Sequence, residues 1–401
     1  MEELLNQISV LASSSDDDGR QRIMQSLHQL AYSMEGPEDT RDRFSFLHLQ
    51  TAVVKVGFDL EIFTHVADSR DTLTDNDLSQ KTGAQHELIV RMLRFLVAIG
   101  TVDEVGPQQY RANRVTHNLT KRATQAGVNH WFCTVSPQYQ QLPNLLKKTG
   151  YLNPVDETHT AFHEAWNTSV SPFAWFEDKP GLLDHFNEYM ATRARIEHSW
   201  LQVYPVLDEA KGCSADRALY VNVGGGIGHQ CAEFKERYPD LPGRVILQDL
   251  QHSILEALPT PGVENMTHNF FDIQPVQGES IFSTLSYVMI LTCHSCIGAK
   301  FYHLRAVLHD HPRHKVSKII QNIKAVMAPD SILLVDEMIL PETNVNAFAA
   351  SLDMSMLTAF ASMEHTEAQW RTIFDEEGLV VVRTRVYNPI TYEGVLDIRL
   401  R

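Results

Sequence analysis

The stretch VNVGGGIG, residues 221–228, passes from a β-branched run into a turn that contains four glycines. The run ALYVNV that leads into the turn predicts a strand, and QCAEFKERYP after it predicts a helix. Glycine permits tight turning and lets the backbone approach a ligand closely at the carboxyl end of a first strand. This stretch therefore predicts the first β–α unit of an α/β domain, with a ligand site at the turn.

The residues downstream continue this pattern to the end of the chain. The β-branched runs RVILQD, SILLVDE and LVVVRTRVY alternate with the helical stretches HKVSKIIQNIKAVM and EAQWRTIFDEEG. Such alternation predicts a mostly parallel sheet with helices on both faces. We expect this α/β domain to occupy residues 216–401.

The residues beside the glycine turn indicate the kind of ligand. GGGIGHQ does not match the dinucleotide pattern G-x-G-x-x-G, because His229 and Gln230 stand where a third spaced glycine would be, and no GK[ST] follows for a P-loop. The strand VILQD ends at Asp249, where an acidic residue can hold ribose hydroxyls. The turn and the acid together favour a nucleoside cofactor such as S-adenosylmethionine. A purely structural turn is the alternative.

The N-terminal third predicts a helical module at residues 1–120. TAVVKVGFDLEIFTHVAD and QHELIVRMLRFLVAIG carry apolar residues at helical spacing, and TVDEVGPQQYRANRVT reads as a two-stranded wing. Thr74 is the predicted N-cap of a short helix that ends at Gly83. This winged-helix order permits DNA binding, but the helix that would read DNA carries only Arg91 and Arg94, with Glu87 beside them. A dimerisation module is the favoured interpretation.

Composition limits the partners. The 401 residues suffice for two or three domains with a substantial core, and the hydrophobic fraction of 43% is normal for a globular protein. A formal net charge of −16 opposes binding to nucleic acid or an anionic membrane, because phosphate neutralisation needs clustered Lys and Arg. The N-terminus lacks the basic start and apolar stretch of a secretory signal. We expect a cytoplasmic protein without nucleic-acid or membrane partners.

Two features raise the question of a metal. The only C-x-x-C pair among the five scattered cysteines is Cys293 with Cys296, and a single such pair is weak support for zinc. HDHPRH clusters His309, His311 and His314, but the spacing matches no H-E-x-x-H helix and Pro312 interrupts it. We therefore expect no metal site.

Several motifs follow one another as they do in class I S-adenosylmethionine-dependent O-methyltransferases: VNVGGGIGHQ, PDLPGRVILQDL, GVENMTHNFFDIQP, FYHLRAVLHDHP, APDSILLVDEMILPE and EHTEAQW. The chain resembles the fungal secondary-metabolism branch of that family, over residues 45 to 401. The resemblance implies an α/β fold, a Rossmann-like class I methyltransferase domain preceded by an all-α winged-helix-like dimerisation domain. It also implies S-adenosylmethionine as cofactor and a homodimer.

The resemblance assigns roles position by position. On the cofactor side it implies contacts from Gly224, Gly225 and Gly226 to the methionine part, from Asp249 to the ribose, from Asn269 and Phe270 to the adenine, and from the nearby Arg305. On the reaction side it implies His309 as the catalytic base, flanked by Glu337 and Glu364.

Three positions depart from the family pattern. Asn222 and Asn269 stand where the family has carboxylates that hold the methionine ammonium and the adenine amino group. Asn keeps an acceptor oxygen but loses the charge, so we expect weaker cofactor binding. His311 stands where the family commonly has Trp, which affects the packing around the base.

The expected chemistry explains why a histidine and carboxylates are needed. Methyl transfer from a sulfonium is an in-line displacement, so the protein chiefly aligns the acceptor oxygen and removes its proton. A phenol or enol has a pKa near about 10, and imidazole is suited to take its proton at neutral pH. We expect His309, after the strand-like run AVL, and Glu337, at the end of the strand ILLVD, to face one cleft.

Residues 121–215 predict a helical connecting region that lines the acceptor pocket. His130, Trp131 and Met190 are the candidate substrate-binding residues, with Phe132 and Trp200 as further aromatic lining. Core packing is the alternative for each of them.

One stretch interrupts the family pattern. GESIFSTLSYVMILTCHSCI stands between PVQ and GAKFYHLR, and deletion of residues 279–298 joins Gly278 to Ala299 and restores PVQGAKFYHLR. Gly-Glu-Ser can be encoded with a splice donor, Leu-Thr with a branch sequence and Ile-Gly with an acceptor. Our hypothesis is that the segment is a translated, retained intron.

The sequence thus predicts an O-methyltransferase that acts on a hydroxyl of a polyketide-like, aromatic or other small secondary metabolite. Two alternatives stay open. Some fungal family members resemble methyltransferases yet act as pericyclases that use the sulfonium as a fixed charge, and His130 would then be a candidate acid–base residue. The third interpretation is a non-catalytic dimeric protein disabled by the insertion.

Overall fold

The computed structural model describes residues 1–193, 199–276 and 298–401. These residues form two compact units. The N-terminal unit comprises Met1–Ser136 and Lys179–Arg193, and the C-terminal unit comprises Pro137–Asp178 and Ala194–Arg401. Residues 279–297 of the predicted insertion lie outside the described ranges, as do Cys293 and Cys296.

The helices are, in chain order, α1 (Glu2–Ser14), α2 (Asp17–Met34), α3 (Pro37–Ser45), α4 (Leu47–Asp59), α5 (Ile62–Asp68), α6 (Asp75–Thr82), α7 (His86–Ala98), α8 (Arg114–Leu119), α9 (Arg122–His130), α10 (Ser136–Lys148), α11 (Ala161–Trp166), α12 (Pro172–Phe176), α13 (Pro180–Arg193), α14 (Val206–Glu209), α15 (His229–Arg237), α16 (Gln251–Leu255), α17 (Arg313–Lys324), α18 (Ala347–Phe360) and α19 (Glu367–Glu376). The strands are β1 (Leu73–Thr74), β2 (Asp103–Gly106), β3 (Gln109–Arg111), β4 (Ala218–Val223), β5 (Arg244–Asp249), β6 (Val263–Thr267), β7 (Phe301–Arg305), β8 (Ile332–Leu340), β9 (His365–Thr366), β10 (Leu379–Asn388) and β11 (Glu393–Leu400). None of the helices in these ranges is both long and apolar enough to cross a bilayer.

The N-terminal unit has the predicted helices and wing. Thr74 caps α6 by accepting the Asp77 backbone N–H, and Gly83 ends that helix with a left-handed φ of 70°. β2 and β3 pair antiparallel, and β1 joins them in a small sheet. The apolar face of α7 packs with α5 and α6 around Leu78 and Ile89, which are fully buried. The winged-helix prediction is confirmed.

The C-terminal unit is built on a mixed sheet with the strand order β10-β11-β8-β7-β4-β5-β6. The strands from β6 to β8 are parallel, while β11 and β10 run antiparallel at one edge. All six residues of β4 are buried, because the sheet packs on both faces: Val221 and Val223 join one apolar core and Tyr220 the other. This Rossmann-like arrangement confirms the predicted fold class.

The strand order determines where a ligand site can form. From β4 the chain passes outward to β5 and β6, then returns to β7 on the other side of β4. Open α/β sheets form their ligand crevice at such a reversal, outside the carboxyl ends of the strands. The glycine turn follows β4 and residues 306–310 follow β7, so both lie at this reversal.

Two local predictions near the reversal were wrong. The run AVL is not a strand, because β7 ends at Arg305 and Ala306 turns the chain with a left-handed φ of 49°, while its N–H donates to the Asp336 carbonyl at 3.0 Å. Glu337 does not end its strand, because β11 pairs along β8 as far as Met338 and β8 continues to Leu340.

Candidate active site

The glycine turn after β4 is packed so tightly that a side chain is excluded at its centre. A Cβ at Gly225 would lie 2.4 Å from Nδ2 of Asn222 and 2.6 Å from Cδ1 of Leu247. Gly224 and Gly226 have left-handed φ values of 67° and 59°, which favour glycine. The N–H groups of Gly224 and Gly225 donate to the Gln248 carbonyl at 2.9 and 3.0 Å. The turn is therefore fixed to β5.

Asp249, at the end of β5, faces this turn. Its Oδ2 accepts the Gly226 N–H at 2.7 Å, and its Oδ1 accepts the Leu250 N–H at 2.7 Å. A carboxylate oxygen has two lone pairs, so each oxygen retains capacity to accept a further hydrogen bond. The sequence prediction of an acid beside the turn is realised as a direct hydrogen bond between the two.

An aromatic wall stands on the other side of the turn. A Cβ at Gly224 would lie 3.4 Å from the Phe270 ring and 3.0 Å from Cγ2 of Val307, so these two side chains meet at the turn. The His311 ring packs edge-on against Phe270 and Phe271, with centroids 5.5 and 5.2 Å apart. Thus the imidazole at the family's Trp position still contributes a ring to this wall.

Asn269 and Arg305 occupy less direct positions. Asn269 Oδ1 accepts the Phe271 N–H at 3.0 Å, which uses the side chain in a local turn. Arg305, at the carboxyl end of β7, has its Nε 3.7 Å from Oδ2 of Asp336 and an Nη 3.9 Å from Oε1 of Glu393. These two carboxylates offset the charge of the mostly buried guanidinium at the strand end.

The residues around the turn fit a nucleoside cofactor. They combine a turn without side chains, a carboxylate held against it, and aromatic rings beside it. The Asn222 amide is buried at the turn beside the Cys231 thiol. Burial raises the pKa of Cys231 to about 12, and a hydrogen bond with the Asn222 amide opposes that shift.

His309 lies in a single 3₁₀ turn, Leu308–Asp310, directly after this region. Its Nδ1 is 2.8 Å from Oε1 of Glu364 and 4.0 Å from Oε2 of Glu337, so three predicted residues come together. An imidazole whose Nδ1 donates to a carboxylate keeps Nε2 as its acceptor. Burial would lower the pKa of His309, but the carboxylates of Glu364, Asp310 and Glu337 outweigh it and raise the pKa well above its usual value.

Glu337 connects the base to the glycine turn. Its Oε1 accepts the backbone N–H groups of Val307 and Leu308 at 3.1 and 2.8 Å, and Val307 is the residue that packs on Gly224. Burial raises the pKa of Glu337 to about 7, against the opposing charge of His309. The same carboxylate therefore holds the chain beside the turn and faces the imidazole.

The backbone shape that presents these groups was not visible in the sequence. Ala306 and Ala361, three residues before His309 and Glu364 respectively, both adopt left-handed φ values, 49° and 52°. Ser362 Oγ donates to the His309 carbonyl at 2.5 Å and ties the two segments together. Alanine and serine carry no signal for such roles, because neither residue type is specific to a left-handed turn or to this contact.

The HDHPRH imidazoles diverge rather than converge. His309 faces the glutamates and His311 packs on the phenylalanine rings, while the largely exposed His314 has its Nε2 3.8 Å from Glu157. The ligand atoms of His309, Glu337 and Glu364 lie within 4.8 Å of one another, a spacing that a cation could use. Nδ1 of His309, however, already bonds Oε1 of Glu364, and Oε1 of Glu337 accepts two backbone N–H groups.

The candidate acceptor residues lie in the N-terminal unit. His130 ends α9 where the helix widens into a π-helical turn, Trp131–Val135, a feature common at functional sites. Its ring contacts Trp131, Phe186 and Tyr189 with centroids 5.7, 5.3 and 5.8 Å away. Burial lowers the pKa of His130 to about 4, with the charge of His185 adding to the effect. Met190 lies on α13 with two of these rings.

Comparison with known proteins agrees with this architecture. Family models match residues 43–122 as an O-methyltransferase dimerisation domain and residues 291–380 as an O-methyltransferase domain. O-methyltransferase ucdC of Aspergillus ustus is 34% identical over 396 residues, which cover 99% of this chain and 98% of the relative. The chain belongs to the S-adenosylmethionine-dependent O-methyltransferase family.

Further relatives of this methyltransferase span its whole length. Demethylsterigmatocystin 6-O-methyltransferase of Aspergillus parasiticus is 32% identical over 97% of this chain and 95% of its own. The structure of LepI in complex with S-adenosylmethionine matches with a TM-score of 0.85 at 32% identity, covering 100% of this chain and 98% of that one. A structure described as a pericyclic reaction enzyme matches with the same score and identity, covering 100% and 99%.

Family membership defines the general chemistry of the methyltransferase. It is a transferase of one-carbon groups, and its cofactor is S-adenosylmethionine. It carries the dimerisation domain of its family N-terminal to the catalytic domain.

Proposed function

We propose that this methyltransferase transfers a methyl group to a hydroxyl of a small aromatic or polyketide-like secondary metabolite. The relatives that it resembles include an enzyme named as a demethylsterigmatocystin 6-O-methyltransferase. A phenolic acceptor also suits the chemistry of the site, because a buried imidazole next to carboxylates can remove the proton of a weakly acidic hydroxyl.

On the cofactor side, the backbone of Gly224, Gly225 and Gly226 would lie along the methionine part, with Asn222 and Arg305 near its charged end. Asp249 would accept both ribose hydroxyls with the lone pairs that its backbone hydrogen bonds leave free. Phe270 and Asn269 would border the adenine. When bound, S-adenosylmethionine supplies a methyl group on a sulfonium, which leaves as the neutral thioether.

On the reaction side, His309 would act as the base through Nε2. The hydroxyl proton of the acceptor would pass to Nε2, which would leave the acceptor oxygen able to take the methyl group that the cofactor supplies when bound. Glu364, hydrogen-bonded to Nδ1, fixes the tautomer and stabilises the imidazolium that forms. Glu337 adds a second carboxylate and holds the Val307–Leu308 backbone.

The single observation that carries this proposal is the hydrogen bond between His309 and Glu364, in a segment that packs on the glycine turn through Val307. Incubation with methyl-labelled S-adenosylmethionine and 1-naphthol, catechol or demethylsterigmatocystin tests it. We expect label in the product, and a loss of about 10²–10⁴-fold in kcat for His309→Ala with cofactor affinity retained. His314→Ala, in the same histidine cluster but exposed, is the matched control.

We further propose that His130, Trp131 and Met190 line the acceptor pocket. His130 is buried among aromatic rings and is held neutral at physiological pH by its low pKa. Substitution of Trp131 by Ala should raise KM for the acceptor more than it lowers kcat. An unchanged KM would assign this residue to core packing.

A second candidate function is pericyclic catalysis with the cofactor as an unconsumed cation. The similarity to a pericyclic reaction enzyme at 32% identity favours it, as does the loss of the carboxylate at Asn222. The same incubation distinguishes the two functions. If product isomers form without label transfer, and this activity is lost in His130→Ala but kept in His309→Ala, the pericyclic function would replace the methyltransferase proposal.

The protein is proposed to act as a cytosolic homodimer through residues 1–120, with residues 121–215 lining the acceptor pocket and 216–401 binding the cofactor. The family dimerisation domain supports this assembly. Sedimentation should give a mass near twice the 45.5 kDa of one chain. We propose catalysis without a metal, because Nδ1 of His309 and Oε1 of Glu337 already have hydrogen-bond partners. EDTA should therefore leave the rate unchanged.

A further inference from the structure

Asp353 is a carboxylate that the chemistry above does not use. It lies on α18, half-buried, and its Oδ1 accepts the backbone N–H of Glu364 at 2.8 Å. Glu364 in turn contacts the His309 imidazole. A line of contacts therefore runs from α18 through the Glu364 main chain to the base.

The position of Asp353 is unfavourable for a residue that only fills space. Burial raises the pKa of Asp353, the Glu364 N–H opposes the shift, and the negative charge of the Glu364 side chain raises it again. An Asn or Ser could accept the same N–H without placing two carboxylates close together. The geometric observation is the contact itself, because Asp353 holds the backbone N–H of the residue whose carboxylate contacts His309.

The helix that carries Asp353 is itself anchored. Its far side is held by a hydrogen bond between Tyr139 and Ser355 at 2.6 Å, and Thr160 Oγ1 donates to the Ala359 carbonyl at 3.2 Å. The chain after the helix turns sharply at Ala361 with its left-handed φ of 52°. The main chain directly after Glu364 is held independently, because His365 of β9 pairs with Ile339 of β8. The Asp353 contact therefore acts on the Glu364 N–H itself.

We propose that Asp353 is a positioning residue that fixes the Glu364 peptide, so that the Glu364 carboxylate holds the His309 imidazole with Nε2 toward the acceptor. This inference rests on the proposed function, which assigns His309 as the base. At metal sites, removal of a group that orients a ligating side chain typically costs about 10–100-fold in affinity or activity. We expect a loss of the same order for a residue that orients the base.

The test compares Asp353→Asn, which keeps the acceptor oxygen, with Asp353→Leu, which removes it. With a phenolic acceptor from the panel above, Asp353→Leu should lower kcat about 10–100-fold with little change in KM, and Asp353→Asn should restore most of it. When Asp353→Leu is added to a Glu364→Gln variant, kcat should fall by less than about 3-fold further. Both substitutions act on the orientation of the same imidazole, so their effects should not add. Ser355→Ala, on the same helix, should lower only the unfolding midpoint.

A second readout does not depend on methyl transfer. In protein with ¹⁵N-labelled histidine, the downfield proton of His309 Nδ1–H should be present in the wild type and in Asp353→Asn, and broadened or lost in Asp353→Leu. If Asp353→Leu keeps both this resonance and kcat, the positioning role is wrong. If the resonance changes as expected but no variant, wild type included, transfers label, the proposed function fails while the positioning role stands.

Discussion

His309 is a buried imidazole that faces carboxylates from three segments, and its ionisation follows from them. Glu364, Asp310 and Glu337 approach it within 2.8, 3.5 and 4.0 Å. They raise the pKa of His309 well above its usual value in spite of burial. The carboxylates therefore stabilise the protonated form of this imidazole relative to a free histidine.

This ionisation predicts the pH dependence of catalysis. A protonated imidazole cannot take a proton, so kcat/KM should keep rising between pH 7 and pH 9 rather than level off near pH 7. Removing the main charge with Glu364→Gln should move the acidic limb of the profile to lower pH, together with a lower plateau. An acidic limb unchanged in that variant would show that another group limits the rate.

The same groups predict how stability changes with pH. The folded-state pKa of His309 lies above its unfolded value of about 6.5, so its contribution is complete below that pH and is lost as pH rises through the folded pKa. The contribution of Glu337 to stability also decreases as pH rises, since its pKa is raised from 4.5 to about 7 in the folded state. We expect the urea midpoint to fall between pH 6 and pH 9, and to fall less in His309→Gln.

At the scale of elements, the glycine turn joins β4 to α15 under two different constraints. Gly225 is limited by space, because a Cβ there would overlap Asn222 and Leu247. Gly226 is limited by its φ of 59°, while nothing lies within 4 Å of where its Cβ would be. A substitution at Gly225 therefore tests the packing of the turn, whereas one at Gly226 tests access to its outer surface.

Alanine at each position should therefore have a different effect. Gly225→Ala should lower the free energy of unfolding by about 1–3 kcal/mol, because the overlap forces the strand and the turn apart. Gly226→Ala should lower it by about 1–2 kcal/mol through backbone strain and should weaken S-adenosylmethionine binding, since its methyl group enters the open space beside Asp249. Calorimetry and urea unfolding on both variants measure this; equal cofactor affinities would contradict it.

At the scale of the whole molecule, the described residues on either side of the insertion, Val276 and Ala299, both form a hydrogen bond with the hydroxyl of Tyr302. Tyr302 Oη donates to the Val276 carbonyl at 2.7 Å and accepts the Ala299 N–H at 3.0 Å. A Cβ at Gly298 would lie 2.0 Å from the Val326 carbonyl oxygen, so this position requires glycine. Deletion of 279–298 would place Gly278 before Ala299 and so retain a glycine there.

We therefore expect the chain without residues 279–298 to fold and to bind the cofactor. Its free energy of unfolding should be up to about 2 kcal/mol higher than that of the full chain, because a shorter connection from Val276 to Ala299 loses less entropy when its ends are brought together. The same deletion with Gly278→Ala is the control and should unfold at lower urea. Failure of the simple deletion to fold would establish that the segment belongs to the domain.

The origin of the segment is a separate question. Sequencing of the transcript should reveal a spliced species that lacks the twenty codons. A single species that always contains them would refute the retained-intron hypothesis.

Local patterns in the sequence were enough to identify the elements and their order. The runs ALYVNV, RVILQD and LVVVRTRVY became β4, β5 and most of β10, and Thr74 and Gly83 delimit α6 as expected. Hydrophobic periodicity and helix capping depend on residues that are close together in the chain, so both can be read directly from the sequence. The motif order likewise identified the family before any geometry was known.

Contacts across the sheet were decided only by the tertiary structure. Glu364 follows His309 by 55 residues, yet α18 and its left-handed end bring its carboxylate onto Nδ1. Nothing in the sequence marks Ala306, Ala361, Ser362 or Asp353, because their roles depend on backbone shape and on distant partners rather than on residue type. The sequence alone determined which residues were available for catalysis, and folding determined which of them meet, because side chains distant along the chain come into contact only once the sheet has placed its strand ends side by side.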